Sequence, residues 1–262
     1  MSKAISVKNV NVRLDNRQIL TDVNWDVEDG ARYFILGANG AGKTTLVKVL
    51  MGYQWPRFGA EVNILGHRYG EIPLQDLRKS IAWVSPAIYH WLNNPKWTGV
   101  ELVVSGLEAS IGLYRTITDE ERAQAQKLLD LLRAGHLIDQ PFQTMSSGEQ
   151  VKVLIARALM THPKLMILDE PSVYLDITGR EFLLDTIKSL ANSRPDLTIV
   201  FITQRIEDIL PVFDRGMILK GGQILASGHR DDVLTEENLK RAFDFDIRLV
   251  KTKTGRFWTV IE

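Results

Sequence analysis

The chain has 262 residues, 32 Lys and Arg against 32 Asp and Glu, 45% hydrophobic residues and no cysteine. Such a composition belongs to an ordinary folded chain of one large domain or two lobes, and it excludes the disordered and fibrous classes. The absence of cysteine removes disulfide frameworks, zinc ribbons, thiolate redox pairs and cysteine nucleophiles, and the zero net charge argues against broad electrostatic capture of nucleic acid, leaving only local patches.

Residues 1–15 have no secretory core, because Lys8, Arg13 and Asp15 interrupt every apolar run, so the default location is the cytoplasm. The first thirty residues alternate weakly, and the turn residues Asp15-Asn16 and Asp29-Gly30 predict two or three strands of an antiparallel sheet. Tyr33-Phe34-Ile35-Leu36 reads as a buried strand running into Gly37, and residues 46–51 read as a helix with Gly52 just past its end. A further strand is read at Ile81-Ala82-Trp83-Val84.

From Val100 to about Ala134 the pattern turns helical, with Thr118 and Glu121 spaced as a capping box ahead of Ala125, Leu128, Leu129 and Leu132. A second box, Ser146 and Glu149, opens a helix whose apolar face is Val151, Leu154, Ile155, Ala158 and Leu159. Strands return at residues 165–168, 198–202 and 217–219, with a helix near 181–190, the alternation of a parallel α/β sheet. Residues 246–262 alternate around Thr254-Gly255 and read as a hairpin. The longest apolar stretches are strand-sized, far short of the ~20 residues of a spanning helix, so any membrane role would need a separate partner.

Gly37-Ala38-Asn39-Gly40-Ala41-Gly42-Lys43-Thr44 fits the P-loop pattern, in which glycines let successive backbone N–H groups face phosphate oxygens. Lys43 would reach the β- and γ-phosphates, Thr44 would offer a hydroxyl to Mg²⁺, and the following helix would aim its positive dipole end at the nucleotide. The alternative is a plain glycine turn; the strand before it and the helix after it favour the nucleotide. The apolar strand at 165–168 ends in Asp169, a carboxylate suited to holding the metal through water. Glu170 follows directly and would polarise the attacking water as general base; a helix cap or a surface ion pair is the other reading of these acids.

With the P-loop, Asp169-Glu170-Pro171 and Met145-Ser146-Ser147-Gly148-Glu149-Gln150 all in place, the chain resembles the ATP-binding cassette ATPases over nearly its whole length. The resemblance implies an α/β fold: a P-loop NTPase with a RecA-like parallel-sheet core, an N-terminal antiparallel β subdomain and an inserted helical signature subdomain. On that scheme residues 1–86 and 160–245 form the β subdomain and core, 87–159 the helical subdomain and 246–262 the C-terminal hairpin. The implied cofactors are ATP and Mg²⁺. Gly37, Ala38, Asn39, Gly40, Ala41, Gly42, Lys43, Thr44 and Thr45 would hold the nucleotide together with Ser146, Ser147, Gly148, Glu149 and Asp176. Thr44 and Asp169 would hold the metal.

The family signature reads Leu-Ser-Gly-Gly-Gln, so Ser146, Ser147, Gly148 and Glu149 take its second to fifth positions, with Met145 for the leucine. In the family it acts across a head-to-tail dimer, which implies that Ser146 and Gly148 of one subunit meet the γ-phosphate on the other subunit's P-loop. A plain capping box is the alternative. Residues 171–176 resemble the family's D-loop, with Asp176 at the usual acid position and Tyr174 larger than the common residue.

The departures are informative. Where the family has a glutamine that meets Mg²⁺ and the transmembrane partner, this chain has Ser85-Pro86, so the metal loses a ligand. The family histidine at the γ-phosphate is Gln204 here, which donates a hydrogen bond but cannot become cationic, so slow hydrolysis by Glu170 and Gln204 is expected. The family's adenine-stacking aromatic would align close to Leu14, so apolar contact replaces stacking unless another ring, such as Trp25, turns inward. With Gly52-Tyr53-Gln54-Trp55-Pro56, Ser105-Gly106 and Ile111-Gly112-Leu113-Tyr114, the chain is most similar to the molybdenum-transport and photorepressor type of ATP-binding proteins.

Tyr89-His90-Trp91, with Trp97, lies where transporter cassettes touch their membrane partner, or it is an aromatic-packed loop. The hairpin residues Phe257 and Trp258 serve sheet packing or a regulatory contact. The five histidines show no metal spacing. The expected function is a homodimeric Mg-ATP hydrolase that energises a membrane permease, cytoplasmic and peripheral on the inner face of the cell membrane, without direct nucleic-acid contact. The alternative is a soluble ATP-driven switch in regulation or nucleic-acid maintenance; a small-molecule kinase would have no need of the signature at 146–150.

Overall fold

The computed structural model describes residues 2–85, 97–108, 113 and 115–261, in two units: Met1–Leu77 with Ala191–Glu262, and Arg78–Leu190. In the first unit β1 (Lys3–Leu14) and β2 (Arg17–Glu28) form an antiparallel hairpin. Its turn residues Asp15 and Asn16 have φ of 43° and 66°. Positive φ at both central positions is the type I′ turn, whose twist matches that of the flanking strands and which Asn and Asp tolerate well. Along β2, Leu20, Val23, Trp25 and Val27 are buried while Asp22, Asn24, Asp26 and Glu28 are exposed, the period of a half-buried strand. Two short strands, β4 (Glu61–Ile64) and β5 (His67–Arg68), complete a sheet of order β2-β1-β4-β5.

The same unit holds the parallel strands that carry the glycine loop. β3 (Arg32–Leu36) is buried along its whole length and pairs parallel with β8 (Thr198–Thr203) on one side and β9 (Arg215–Lys220) on the other. A strand covered on both faces reads as a continuous apolar run, which is why it is legible without alternation. β10 (Gln223–His229) follows β9 antiparallel. After β3 comes α1 (Lys43–Leu50), then α2 (Leu74–Lys79). Towards the C-terminus lie α7 (Arg230–Val233), α8 (Glu236–Phe243) and the antiparallel pair β11 (Ile247–Lys251) and β12 (Phe257–Ile261), turning through Gly255 as expected.

In the second unit β6 (Ile81–Val84) and β7 (Leu165–Asp169) pair in parallel and every residue of both is buried. Three helices pack on one another: α3 (Gly99–Val104), α4 (Asp119–Leu131) and α5 (Ser147–Leu159). The helical region from residue 100 is thus interrupted, since α3 passes into a 3-10 turn at Ser105–Glu108 and α4 opens only at Asp119. Gly106 in that turn lies so close to α5 that a Cβ would come 2.3 Å from the Arg157 carbonyl oxygen.

Both expected capping boxes are present. Thr118 Oγ1 accepts from Glu121 N at 3.2 Å, and the Glu121 carboxylate accepts from Thr118 N at 3.0 Å. A third box, Thr98 with Glu101, opens α3. α6 (Ile177–Ser193) starts before the expected residue 181 because Asp176 Oδ1 accepts from Gly179 N at 2.7 Å, satisfying a donor that the helix itself leaves open.

Candidate functional site

The glycine loop is built by close approach. Gly37 N donates to Thr203 O at 3.3 Å, and a Cβ on Gly37 would lie 2.5 Å from Leu219 O on β9. Gly42, the N-cap of α1, has φ 103°, and its Cβ would lie 2.8 Å from Leu20 Cδ2. Only glycine satisfies both the dihedral and the space. Gly222 backs the loop: its N–H donates to Ala41 O at 3.0 Å and its carbonyl accepts from Thr21 N at 2.9 Å.

Lys43 is 4% exposed, and its Nζ donates to Gly37 O at 2.8 Å and Ala38 O at 2.9 Å. The ammonium is therefore folded across the loop, beside the N–H groups of the first turn of α1, which have no intrahelical acceptors and attract anions. Asn39, Gly40 and Thr44 are exposed, and Thr45 is half-buried. The cradle fits a phosphate chain, and its exposed Thr44 hydroxyl is a hard oxygen donor of the kind Mg²⁺ takes. Of the two side chains considered for the adenine, Trp25 is buried with its ring 5.4 Å from that of Tyr33, whereas Leu14 is exposed at the end of β1.

Gln204 follows β8 and is half-buried. Its neighbour Thr203, bonded to Gly37, also accepts from Arg205 N through Oγ1 at 2.9 Å. The start of the glycine loop and Gln204 are thus held side by side in the first unit.

The second unit carries the acids and the serine motif. Asp169 ends β7 at 2% exposure, and the half-buried Glu170 follows with φ 52°. A left-handed backbone is uncommon for glutamate and costs on the order of 1 kcal/mol, a conformation that clusters at active sites. A turn holds it, with Val173 N donating to Glu170 O at 3.3 Å and Pro171 and Ser172 buried behind.

Ser146 caps α5, and both its N–H and its Oγ donate to Glu149 Oε2 at 2.8 Å. Ser147 Oγ donates to Tyr174 O at 3.2 Å. Ser146, Ser147, Gly148, Glu149 and Asp176 come together around a cleft of about 490 Å³ that Tyr174 and Phe182 also line. Lys152 lies over the Phe182 ring at 3.7 Å from its centroid, and burial pushes its ammonium pKa down. Tyr174 and Ile177 are strongly exposed at 67% and 80%. Ser85 is buried; Pro86, Tyr89, His90, Trp91, Ile111, Gly112 and Tyr114 lie outside the described residues.

The Ser146 N–H and hydroxyl, with His136 at 3.5 Å, hold the Glu149 carboxyl below the usual carboxylate range. A folded pKa below the unfolded one gives stability that is present above the unfolded value, about 4.3, and is lost as pH falls through the folded value. Ser146→Ala is expected to cost about 1 kcal/mol at pH 7, read as a fall in Tm of roughly 2–4 °C. The gap between variant and parent melts should narrow below about pH 4, and a gap independent of pH would show that the cap carries no charge-assisted part.

Sequence reasoning missed Gly222 as the support of the glycine loop and Glu207 beyond Gln204. The Gly221-Gly222 pair was the available signal for the first; the second had none.

The ABC transporter family profile matches residues 20–173. The chain is 40% identical over 259 residues to the uncharacterized ABC transporter ATP-binding protein YlmA of Bacillus subtilis (strain 168), covering 98% of this chain and 97% of that one. It is 32% identical over 206 residues to the ABC transporter ATP-binding protein ModF of Escherichia coli (strain K12), 78% of this chain and 42% of that one. In fold it is similar to an ATP-binding cassette of an ABC transporter solved in its ADP conformation, with TM-score 0.78 and 22% identity, covering 93% of this chain and 98% of that one. Among the described residues no helix is long and apolar enough to cross a membrane. The glycine loop after β3, the acids after β7 and the capped serine motif thus have a common explanation: the chain belongs to the ABC transporter family, as one of its ATP-binding cassette ATPases.

Proposed function

We propose that the chain binds Mg-ATP in the Gly37-to-Thr45 cradle, pairs head to tail with a second copy and hydrolyses ATP to energise a membrane permease, lying peripherally on the inner face of the membrane. The observation that carries this reading is a glycine loop spanned by the Lys43 ammonium together with an exposed, capped helix start at Ser146. Each would be half of a phosphate site, and a second copy would supply the missing half to both. Exposed Tyr174, which lines the cleft of the serine motif, and exposed Ile177, next to Asp176 in the chain, would supply the apolar surface such a pairing would cover. The residues 87–159 would form the helical part that carries the motif.

In the reaction Lys43 exchanges its carbonyl partners for β- and γ-phosphate oxygens, and the N–H groups from Gly40 to Thr45 hold the remaining charge. Glu170 accepts a proton from the attacking water, whose oxygen bonds to the γ-phosphorus as the bond to the β–γ bridging oxygen breaks, leaving ADP and phosphate. Gln204 donates a neutral hydrogen bond to the γ-phosphate. Thr44 and Asp169 would hold Mg²⁺, an all-oxygen donor set that fits this ion. When bound, Mg²⁺ would neutralise part of the charge on the phosphate chain. Ser85-Pro86 in place of the family glutamine would leave the metal one ligand short, which favours slow turnover.

That same missing glutamine favours a second reading, a soluble switch with no membrane partner. The two separate on purification of the native complex from gently solubilised cells. A co-purifying integral membrane protein is the expected result, and repeated recovery as a soluble homodimer would overturn the transporter assignment.

A further inference from the structure

Directly after Gln204 the chain turns through Ile206–Asp208, and the C-terminal hairpin is fastened to that turn. Arg256 donates to the Glu207 carbonyl from Nη2 at 2.8 Å and from Nε at 3.2 Å. Thr259 N donates to Glu207 Oε1 at 3.4 Å, and Thr259 Oγ1 donates to the same carboxylate oxygen. The hairpin is itself anchored, with Arg230 Nη1 donating to Gly255 O at 3.2 Å and Phe257 buried under Arg230 and Lys251, each 5.3 Å from its ring centroid. On the other side of Gln204, Thr203 closes on Arg205 N and donates weakly to the fully buried Asp208.

Gln204 therefore sits in a short stretch pinned at both ends: at Thr203, which is bonded to the glycine loop, and at Glu207, which is bonded to a strand some fifty residues later. The turn is partly buried, with Ile206 and Asp208 inside and Gln204, Arg205 and Glu207 half-buried, so its outer edge at Glu207 is the part left for the hairpin to hold. An isolated two-stranded hairpin is marginally stable, and its outward residues Arg248, Val250, Trp258 and Val260 add no core, since all four are exposed. What the hairpin contributes instead, from Arg256 in its turn and Thr259 on β12, is a set of directed hydrogen bonds to one residue of the Gln204 turn. A neutral amide acts through a hydrogen bond that weakens steeply with misalignment, so its placement matters more than that of a charge.

We propose that the hairpin β11–β12 is a positioning device for Gln204, in which Arg256 and Thr259, acting through Glu207, hold the amide where it meets the γ-phosphate. The proposal rests on the reading of Gln204 as a γ-phosphate donor. Thr259 and Arg256 are positioning residues; neither touches the nucleotide.

The test is steady-state ATP hydrolysis by the full chain with Mg-ATP, together with the ratio of ATP to ADP affinity. Thr259→Val, nearly isosteric, is expected to lower kcat about 5–10-fold while KM for ATP stays within about twofold, because small misplacements cost rate rather than binding. Thr259→Ser, which keeps the hydroxyl, should restore turnover, and Arg256→Lys, which loses the planar fork, should behave like Thr259→Val. In a Gln204→Ala background Thr259→Val should have no further effect on kcat or on the ATP-to-ADP ratio. An equal loss in both backgrounds would mean a merely structural hairpin and would overturn the proposal, as would wild-type kcat in Thr259→Val and Arg256→Lys. If Gln204→Ala alone keeps full turnover and the full ATP preference, the reading of Gln204 fails and the positioning role falls with it. If Gln204→Ala is slow while the hairpin variants are not, only the positioning role is lost.

Discussion

Glu170→Gln is expected to lower ATP turnover by about 10²–10³-fold, the range in which a positioned general base contributes, and to trap an ATP-dependent dimer. The amide keeps the shape and the hydrogen-bonding reach of the carboxylate but cannot accept the proton from water. The turn to Val173 holds the backbone at 170 at φ 52°, and the amide is isosteric with the carboxylate, so the variant should fold as the parent does, with Tm within about 2 °C. ATP affinity should stay within about twofold, because the phosphate-binding groups of the Gly37-to-Thr45 loop are untouched. Two chains that close on ATP and cannot hydrolyse it should then accumulate as a pair on gel filtration in saturating Mg-ATP. A monomer under those conditions would sink the paired-site mechanism, and undiminished turnover would move the base elsewhere.

The parts of the fold most legible in the sequence are those fixed by short-range chemistry. Asp15-Asn16 announces the β1–β2 turn because those residue types tolerate positive φ, and Thr118 with Glu121 and Ser146 with Glu149 mark α4 and α5 through reciprocal hydrogen bonds over three residues. β3, β7 and β8 stand out as unbroken apolar runs because parallel strands are covered on both faces. Thr98 and Glu101 carry the same spacing but do not stand out, since α3 has only six residues and no apolar period to support the reading. The start of α6 is hidden for a related reason: Asp176 resembles a D-loop acid, and nothing in that resemblance shows its backbone role as the cap of the helix.

What the sequence hides are partnerships across long separations. Gly222 supports the glycine loop through bonds to Ala41 and Thr21, and no local pattern ties a turn at 221–222 to residues about 180 and 200 positions earlier. Glu207 is one more acid in a polar turn until the hairpin brings Arg256 and Thr259 to it. The chemistry of the nucleotide loop, in contrast, is local: eight consecutive residues between a strand and a helix contain the glycines, the ammonium and the hydroxyl. That is why the ATPase family could be recognised from the sequence while the support of Gln204 could not.

Lys43→Ala should reduce ATP affinity about 10²-fold, since it removes a charge-assisted contact worth roughly 1.5–3 kcal/mol. The loss should follow the phosphates. Lys43 lies across the loop where the β- and γ-phosphates would sit, so ATP and ADP should lose far more affinity than AMP, which a general weakening of the fold would not produce. The free protein gives a second readout, because Lys43 is 4% exposed and satisfies the carbonyls of Gly37 and Ala38. Truncation withdraws a buried donor from two acceptors, at about 1–3 kcal/mol for each carbonyl left without a partner, and water entering the exposed side of the loop at Asn39 and Gly40 should offset part of it. A fall in Tm of a few degrees without nucleotide is therefore expected, about 2–4 °C per kcal/mol for a chain of this size. Added ATP should raise the parent's Tm and leave the variant's nearly unmoved, because stabilisation by a ligand depends on its concentration relative to Kd. Calorimetric titration with ATP, ADP and AMP separates the two effects. Unchanged ATP affinity in a well-folded Lys43→Ala chain would remove the glycine loop from the nucleotide site, and with it the electrostatic account of how a chain of zero net charge holds a polyanion.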